Sequence, residues 1–168
     1  MNLIAAVDKN WAIGNENKLL FNIKEDMKFF RETTTGKVVV MGRKTLESFP
    51  NQKPLKNRIN IVLTKNPDYK ADGAIIVNDT DALFCELEKY EDDDIFVIGG
   101  AAVYNILIPY CKYAYITEID DKAENADAFI TDISSLPMWS LETRSEKKED
   151  NGTFFTFNKY VNKKFLND

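Results

Sequence analysis

The stretches "VVVMGRKT" (residues 38–45) and "IFVIGGAAVY" (residues 95–104) decide the fold, because each takes an apolar run into a helical pattern through glycine. The runs VVVM and IFVI are apolar at every position, which is typical of parallel strands covered on both faces. Ligands of open α/β sheets bind beyond the carboxyl ends of such strands. Helix N-termini there offer free N–H groups to phosphate. Gly42 and the pair Gly99 and Gly100 let a ligand approach the backbone closely.

Positive charge accompanies the first of these two junctions. Arg43 and Lys44 follow the glycine directly, in a protein that is otherwise acidic. Two such junctions, one with a basic pair, favour a phosphate-rich dinucleotide over two plain tight turns. Neither junction is a G-x-G-x-x-G fingerprint or a P-loop. Thr64 and Lys65 end another apolar run, and they are either a solvated strand end or the seat of one more phosphate.

The rest of the chain alternates short β-branched runs with helix-period stretches. Strands are predicted at 3–7, 37–41, 59–64, 74–77, 95–98 and 113–119. Helices are predicted at 24–33, 43–49, 80–90 and 101–110, the third capped by Asp79 or Thr80. Segments 139–147 and 153–161 flank Asn151-Gly152, a hairpin signal. The pattern predicts one α/β domain over residues 1–168. Its sheet has about eight strands, mostly parallel, with a C-terminal antiparallel hairpin and four flanking helices.

The composition excludes several classes of function. The 168 residues include no histidine, which removes histidine bases, Ser-His-Asp and Cys-His catalysis and histidine metal sites. Acid–base chemistry must come from carboxylates, Lys, Tyr, Cys or water.

The composition also bears on partners and location. A net charge of −5 argues against nucleic acid as the main partner. No apolar run approaches the roughly 20 residues of a membrane span, and the N-terminal MNLIAAVDKN is expected to begin the fold rather than a targeting signal. Cys85 and Cys111 have no metal spacing and are expected to be buried free thiols. We expect a cytoplasmic monomer without a metal ion.

A long segment separates the first predicted strand from the first predicted helix. It spans roughly 15 residues, and connections of that length in a compact domain are usually functional or disordered. This one carries Trp11, Ile13, Leu19, Leu20 and Phe21, which make it too apolar for disorder. We expect a lid that folds over a ligand and excludes water, rather than a flexible insert.

One carboxyl group in "FNIKEDMKFF" (residues 21–30) lies on the unexpected side of an amphipathic helix. At about 100° per residue, Asp26 falls between Phe29 and Phe30 inside the apolar face. Burial disfavours the charged form, so the pKa of Asp26 should rise, and a ligand edge with two donors would offset the cost of desolvation. The alternative is an aspartate that caps the helix or pairs with a buried arginine. Arg58, at the start of a strand, is either a surface residue or a bidentate partner for a carboxylate.

Six pieces of the chain together resemble dihydrofolate reductases of the bacterial chromosomal type. In order, they are LIAAVDKNWAIG, the helix with Asp26 followed by Phe29-Phe30, VVMGRKTLES, LKNRINIVLT, VIGGAAVY and AYITEID. The resemblance covers the chain from end to end with only small length differences. It implies reduction of 7,8-dihydrofolate to 5,6,7,8-tetrahydrofolate by hydride transfer from NADPH, in a single domain without metal or flavin.

The resemblance also implies roles for individual positions. Asp26 would bind and polarise the pterin, and Arg58 would bind the α-carboxylate of the glutamate. The other implied substrate contacts are Ile4, Ala5, Met27, Phe30, Phe49, Leu55 and Thr117, the last bonded to Asp26. The implied NADPH contacts are Ala6, Ile13, Gly14, Leu19, Gly42, Arg43, Lys44, Thr45, Leu63, Thr64, Lys65, Ile98, Gly99, Gly100, Ala101, Ala102, Val103 and Tyr104. In the family the peptide bond between the paired glycines is cis. Core packing is the alternative for Ile4, Ala5, Met27, Phe49 and Leu55.

One departure and two alternatives accompany the resemblance. The family usually has Pro-Trp before the first helix, where this chain has Leu20-Phe21. Phenylalanine has no N–H donor, so Phe21 should fill the space without anchoring a water near the pterin.

The alternative functions are a reductase of another pterin-like or ribosylamino-pyrimidine substrate, and a nucleotide-binding module without turnover. Asp26 together with Arg58 favours a pterin linked to a glutamate tail.

Overall fold

Twelve strands and four helices make up the part of the chain that the computed structural model describes, residues 1–166. The strands are β1 (Asn2–Val7), β2 (Ala12–Asn15), β3 (Lys18–Leu19), β4 (Val38–Gly42), β5 (Ile59–Leu63), β6 (Ala74–Val77), β7 (Ile95–Gly99), β8 (Tyr113–Ile119), β9 (Ala128–Phe129), β10 (Trp139–Arg144), β11 (Lys148–Asp150) and β12 (Thr153–Asn162). The helices are α1 (Lys24–Thr34), α2 (Arg43–Glu47), α3 (Thr80–Leu87) and α4 (Ala101–Leu107). Short 3-10 turns lie at Pro50–Gln52, Asp92–Asp94, Ile108–Tyr110, Ile133–Ser135 and Lys163–Phe165.

The central sheet has the order β10-β12-β8-β1-β7-β4-β5-β6, and β11 pairs with β12 outside this path. The strands from β8 to β6 in this order run parallel to their neighbours, whereas β12 is antiparallel to β8, β10 and β11. The predicted α/β fold is therefore confirmed, with four helices and antiparallel strands at the C-terminal end. Asp79 caps α3, because its side chain accepts a hydrogen bond from the Ala82 amide at 2.7 Å.

Both faces of the parallel sheet are buried, as the uninterrupted apolar runs predict. Val38 and Val40 face one hydrophobic cluster, and Val39 and Met41 face another. This alternation follows from the two-residue period of a strand. The second cluster also contains Ile4 and partly buried aromatic residues of α1, so the helix with Asp26 covers this face of the sheet.

The long segment after β1 is more regular than expected. β2 and β3 form a hairpin, and β2 also pairs with β9, which gives a second, three-stranded sheet. Glu16 and Asn17 both have positive φ, of 46° and 61°, the backbone that a two-residue hairpin turn requires. The strands are only two to four residues long, too short to show a periodic pattern.

Three smaller expectations are also corrected. The strand expected at 139–147 ends at Arg144 as β10, whose pairing with β12 shifts register between Leu141 and Thr143, and a separate strand, β11, follows at Lys148–Asp150. Helix α4 ends earlier than predicted and continues as a 3-10 turn that contains Pro109, which has no N–H to donate. Cys111 is a buried free thiol as expected, but Cys85 is exposed on α3.

Candidate active site

The Asp26 carboxyl group lies where α1 meets β8. The Thr117 hydroxyl donates a hydrogen bond of 2.6 Å to Asp26 Oδ1. Thr117 is buried, and Ala6 of β1 stands opposite it in the register. Asp26 itself is partly buried, whereas Glu25 beside it is exposed. The prediction that this carboxyl group belongs to the covered face of the helix is consistent with these contacts.

Burial and hydrogen bonding act on Asp26 in opposite directions. Burial raises the pKa of Asp26 above the ordinary value of 3.8, and the hydrogen bond from Thr117 lowers it by a smaller amount. Among residues 1–166, no group donates a hydrogen bond to Asp26 Oδ2. No fully buried side-chain nitrogen or oxygen in this part of the chain lacks a partner, so Oδ2 reaches solvent. The group therefore offers an acceptor to a ligand.

Apolar side chains from several parts of the chain form a cluster on the face of the sheet that α1 covers. The cluster on the α1 face of the sheet unites the predicted residues Ile4, Phe30, Phe49, Leu55 and Ile98. The Met27 side chain, also predicted, is 50% exposed on α1. Ala5 differs from this group, since it belongs to the larger cluster on the opposite face of the sheet.

Arg58 is held at the far end of α1. Its Nη1 donates to Thr34 Oγ1 at 3.0 Å, and its Nε donates to the Lys56 carbonyl oxygen at 2.9 Å. Burial, and next the positive charge of Arg31, lower the pKa of Arg58; arginine nevertheless stays charged at neutral pH. Asp26 and Thr34 are eight residues apart on a helix that rises about 1.5 Å per residue, so their Cα atoms are roughly 12 Å apart along its axis. Asp26 and the Arg58 side chain are thus associated with opposite ends of α1.

The two glycine junctions are neighbours in space. A Cβ on Gly42 would lie 3.3 Å from Val103 Cγ2 and 3.9 Å from the Gly100 amide nitrogen. A Cβ on Gly99 would lie 3.3 Å from Thr45 Oγ1. The Gly99–Gly100 peptide bond is cis, as the resemblance implies. Bare backbone from two strand ends therefore forms one cradle that side chains would fill.

Two of the residues expected to bind the cofactor are buried beside the cradle. Val103 and Tyr104 are buried in the core, and the Tyr104 hydroxyl donates to the Ile4 carbonyl oxygen at 2.6 Å. Burial raises the pKa of Tyr104 far above its usual range. Of the predicted residues of α4, only Ala101 and Ala102 retain substantial exposure. The side chains of Val103 and Tyr104 therefore pack against the Gly42 and Gly99 positions of the cradle.

Polar and basic groups surround the cradle. Arg43 pairs with Glu47, with 3.2 Å between Nη1 and Oε1. Leu63 stands opposite Gly42 in the register, which places the end of β5 beside the first junction. The predicted residues that follow in these segments are Lys44 and Lys65, both exposed, and Thr64, which is buried.

The β2–β3 hairpin contacts α2 next to the cradle. The Asn17 side-chain amide donates to the Lys44 carbonyl oxygen at 2.7 Å, and the Glu16 amide donates to Asp127 Oδ2 at 2.9 Å. Sequence reasoning missed Asn17 and Asp127, and the only local signal for them was a short polar turn between apolar residues. The structure thus gives the predicted lid a definite contact with α2.

The predicted lid residues differ in burial. Gly14 is buried in β2, and a Cβ there would lie 3.1 Å from the Lys18 carbonyl oxygen. Ile13 packs against the larger core cluster, whereas the Leu19 side chain is 71% exposed. Phe21 packs beside Ala6 in a small cluster at the start of α1. Its ring fills space there, as expected of a residue without a donor.

Residues 1–166 contain neither a cluster suited to a metal ion nor a membrane-spanning helix. No group of three or more His, Cys, Asp or Glu side chains there is arranged to hold a metal ion. Within the same part of the chain, no helix combines the length and the apolar composition that crossing a bilayer would require.

Fold and site together define an α/β protein whose candidate ligand site lies towards the carboxyl ends of parallel strands and includes one partly buried carboxyl group. The family model for dihydrofolate reductase matches residues 1–162. The chain belongs to the dihydrofolate reductase family.

Individual relatives support this assignment. The chain is 36% identical to a dihydrofolate reductase of Neisseria gonorrhoeae over 161 residues, which cover 96% of this chain and 97% of the relative. It is 35% identical to a dihydrofolate reductase of Bacillus subtilis over 162 residues, with coverage of 95% and 94%. A solved dihydrofolate reductase from Enterococcus faecalis, complexed with NADP(H) and RAB-propyl, has a TM-score of 0.84 and 34% identity and covers 96% of this chain and 95% of its own.

Proposed function

We propose that this chain reduces 7,8-dihydrofolate to 5,6,7,8-tetrahydrofolate with NADPH, using Asp26 to bind and polarise the pterin and Arg58 to bind the glutamate carboxylate. The family assignment makes it an NADPH-dependent dihydrofolate reductase. The observation that carries the residue roles is the placement of a partly buried carboxyl group and a fixed guanidinium at opposite ends of one helix.

The apolar wall between these two groups suits the middle of the substrate. The carboxylate of Asp26 has one oxygen held by Thr117 and another open to solvent, so it can accept the two hydrogen bonds that a pterin edge donates. Phe30, Phe49 and Leu55 supply the surfaces for flat rings. The fork of Arg58 matches a carboxylate geometrically. Asp26, the apolar residues and Arg58 thus follow one another in the same order as the pterin, the central ring and the glutamate of the substrate.

The cradle suits the cofactor. Gly42, Gly99 and Gly100 let the two strand ends and α2 approach closely, because a Cβ at these positions would crowd Val103 or Thr45. Backbone without side chains at the start of two helices suits a pyrophosphate. The residues proposed to surround the rest of the molecule fall into three groups: Arg43, Lys44 and Thr45 at the phosphates beside the start of α2, Thr64 and Lys65 at the 2′-phosphate, and Ala6, Ile13 and Gly14 at the nicotinamide. When bound, NADPH supplies the hydride.

The chain's own contribution is alignment, exclusion of water and placement of one proton-binding group. The β2–β3 hairpin closes on α2 through Asn17 and shields the cleft. Asp26 holds the pterin at its amino edge, away from the nitrogen that takes the proton. It therefore acts by polarising the ring, and the proton arrives through water. Phe21 cannot orient that water, so this chain must leave its placement to other groups.

The test is loss of NADPH absorbance with dihydrofolate, for the wild type beside Asp26→Asn at pH 7. We expect turnover in the wild type and a loss of at least about tenfold in kcat/KM in the variant, since a hydrogen bond to a charged group contributes about 1.5–3 kcal/mol. Undiminished turnover in Asp26→Asn would refute its role. A wild type that NADPH stabilises thermally but that does not turn over would refute the substrate and keep the cofactor.

We also propose that the chain acts as a cytoplasmic monomer and does not bind nucleic acid. The balance of 27 acidic against 22 basic residues supports the last point, and two free cysteines support a reducing compartment. Sedimentation at micromolar concentration would reveal a dimer if this proposal is wrong.

A further inference from the structure

The N-terminus of α1 is capped by a distant part of the chain. Ile23 precedes the helix and provides no side-chain hydrogen bond to it. Instead, the Lys24 amide donates to Asp150 Oδ2 at 2.8 Å, across 126 positions of sequence. Asp150 is the last residue of β11, directly before the tight turn into β12. A carboxylate at this place satisfies a free helix N–H and suits the positive end of the helix dipole.

A second contact fixes the same hairpin tip to the same helical turn. Lys148 Nζ lies 3.2 Å from Glu25 Oε1. Lys148 and Asp150 both belong to β11, which pairs with β12, and β12 pairs with β8. The register places Phe157 of β12 opposite Thr117 of β8. Both the strand with the hydroxyl that contacts Asp26, β8, and the strand with the carboxylate that caps its helix, β11, therefore pair with β12.

We propose that Asp150 is a positioning residue for the reaction: it holds the first turn of α1, and thereby Asp26, in register with the pterin. Asp26 is the third residue of the helix, within the turn whose free amides a cap stabilises. Without the cap this turn frays, and the carboxyl group loses the geometry that two hydrogen bonds to a ligand require. The inference rests on the proposed role of Asp26. It assigns Asp150 no contact with substrate.

The experiment measures binding as well as turnover in Asp150→Ala, Asp150→Asn and the control Asp79→Ala. We expect Asp150→Ala to raise the Kd and the KM for dihydrofolate about three- to tenfold, as loss of a helix cap implies. The Kd for NADPH should stay unchanged. Asp150→Asn keeps an acceptor oxygen and should restore most of the affinity. Asp79→Ala removes an equivalent cap from α3, so it should lower the Tm without changing the Kd for dihydrofolate.

A double-mutant cycle with Asp26→Asn separates this inference from the proposed function. If Asp150 acts through Asp26, adding Asp150→Ala to Asp26→Asn should cause no further loss of dihydrofolate affinity. Additive losses, equal losses for both ligands, or a failure of asparagine to restore binding would each overturn the inference. A wild type without reductase activity would overturn the proposed function instead. Asp150→Asn keeps the hydrogen bond to the helix, so the inference stays testable even if the alanine variant does not fold.

Discussion

Replacing Thr117 with valine tests whether Asp26 works as an ionised ligand for the pterin. The Thr117 side chain is 2% exposed, and its hydroxyl lies 2.6 Å from Asp26 Oδ1. Valine keeps the branched shape and removes the donor. Because this hydrogen bond favours the ionised carboxyl, its loss raises the pKa of Asp26 further.

The size of the effect follows from the kind of bond that is lost. A hydrogen bond to a charged group contributes about 1.5–3 kcal/mol, and about 1.4 kcal/mol corresponds to a factor of ten. The bond forms without ligand, so its loss acts on binding through the pKa of Asp26. We therefore expect kcat/KM and dihydrofolate affinity of Thr117→Val to fall by up to roughly ten- to a hundredfold at pH values below the pKa of Asp26, where the ionised carboxyl is correspondingly scarcer in the variant. The carboxyl group is only partly buried, and that places the expected loss towards the lower end of this range.

The assay is calorimetric binding of dihydrofolate, together with kcat/KM, across the titration of Asp26. Well above the pKa of Asp26 the carboxyl is ionised in both proteins, so the deficit of Thr117→Val should be small there. It should grow as the pH falls through the titration of Asp26, because the variant is protonated first. Thr117→Ser retains the hydroxyl and serves as the control. A deficit that is the same at every pH, or a serine variant as impaired as the valine variant, would show that Thr117 acts through packing and refute the reasoning.

Three further predictions concern Asp26, Arg58 and Gly99. The pKa of Asp26 is raised on folding, so its contribution is most favourable below pH 3.8 and is lost as the pH rises through the folded-state pKa; calorimetry should find a higher Tm for Asp26→Asn at neutral pH and no gain in strong acid. Arg58→Lys replaces a fork with a point charge and should raise the KM for dihydrofolate about tenfold, but not that for a dihydropterin without the glutamate tail. Gly99 has φ of 135°, and a Cβ there would meet Thr45 Oγ1 at 3.3 Å; Gly99→Ala should therefore reduce the increase in Tm that NADPH produces.

The central sheet could be predicted because its sequence signal is local. VVVM and IFVI are apolar at successive positions, and the alternate faces of β4 do enter two separate clusters. Asp26 could be singled out for the same reason, since one turn of helix suffices to show that a carboxyl group falls on the apolar face. Gly42 and Gly99 could be picked out as strand ends because each is a glycine, a residue without a side chain, at the end of an apolar run.

The contacts that complete the site have no such local signal. Asn17 meets Lys44, and Asp150 meets Lys24, through single hydrogen bonds between segments that are distant in sequence. The sequence around Asp150 is typical of a hairpin turn. Nothing in it indicates that Asp150 will cap α1, whose own preceding residue provides no side-chain hydrogen bond. Only the pairing of β11 with β12, and of β12 with β8, brings it to α1.

Stability and catalysis make opposite demands at the first turn of α1. The positive end of the helix dipole and the Thr117 hydroxyl both favour an ionised Asp26, yet burial outweighs the hydrogen bond and keeps the pKa of Asp26 raised. A carboxyl group that served to stabilise the fold would have a lowered pKa, and its replacement would cost stability. Asp26 is predicted to behave in the reverse way, so that Asp26→Asn gains stability at neutral pH while it loses substrate affinity. These opposite changes in one variant distinguish an acid placed for a ligand from an acid placed for the fold.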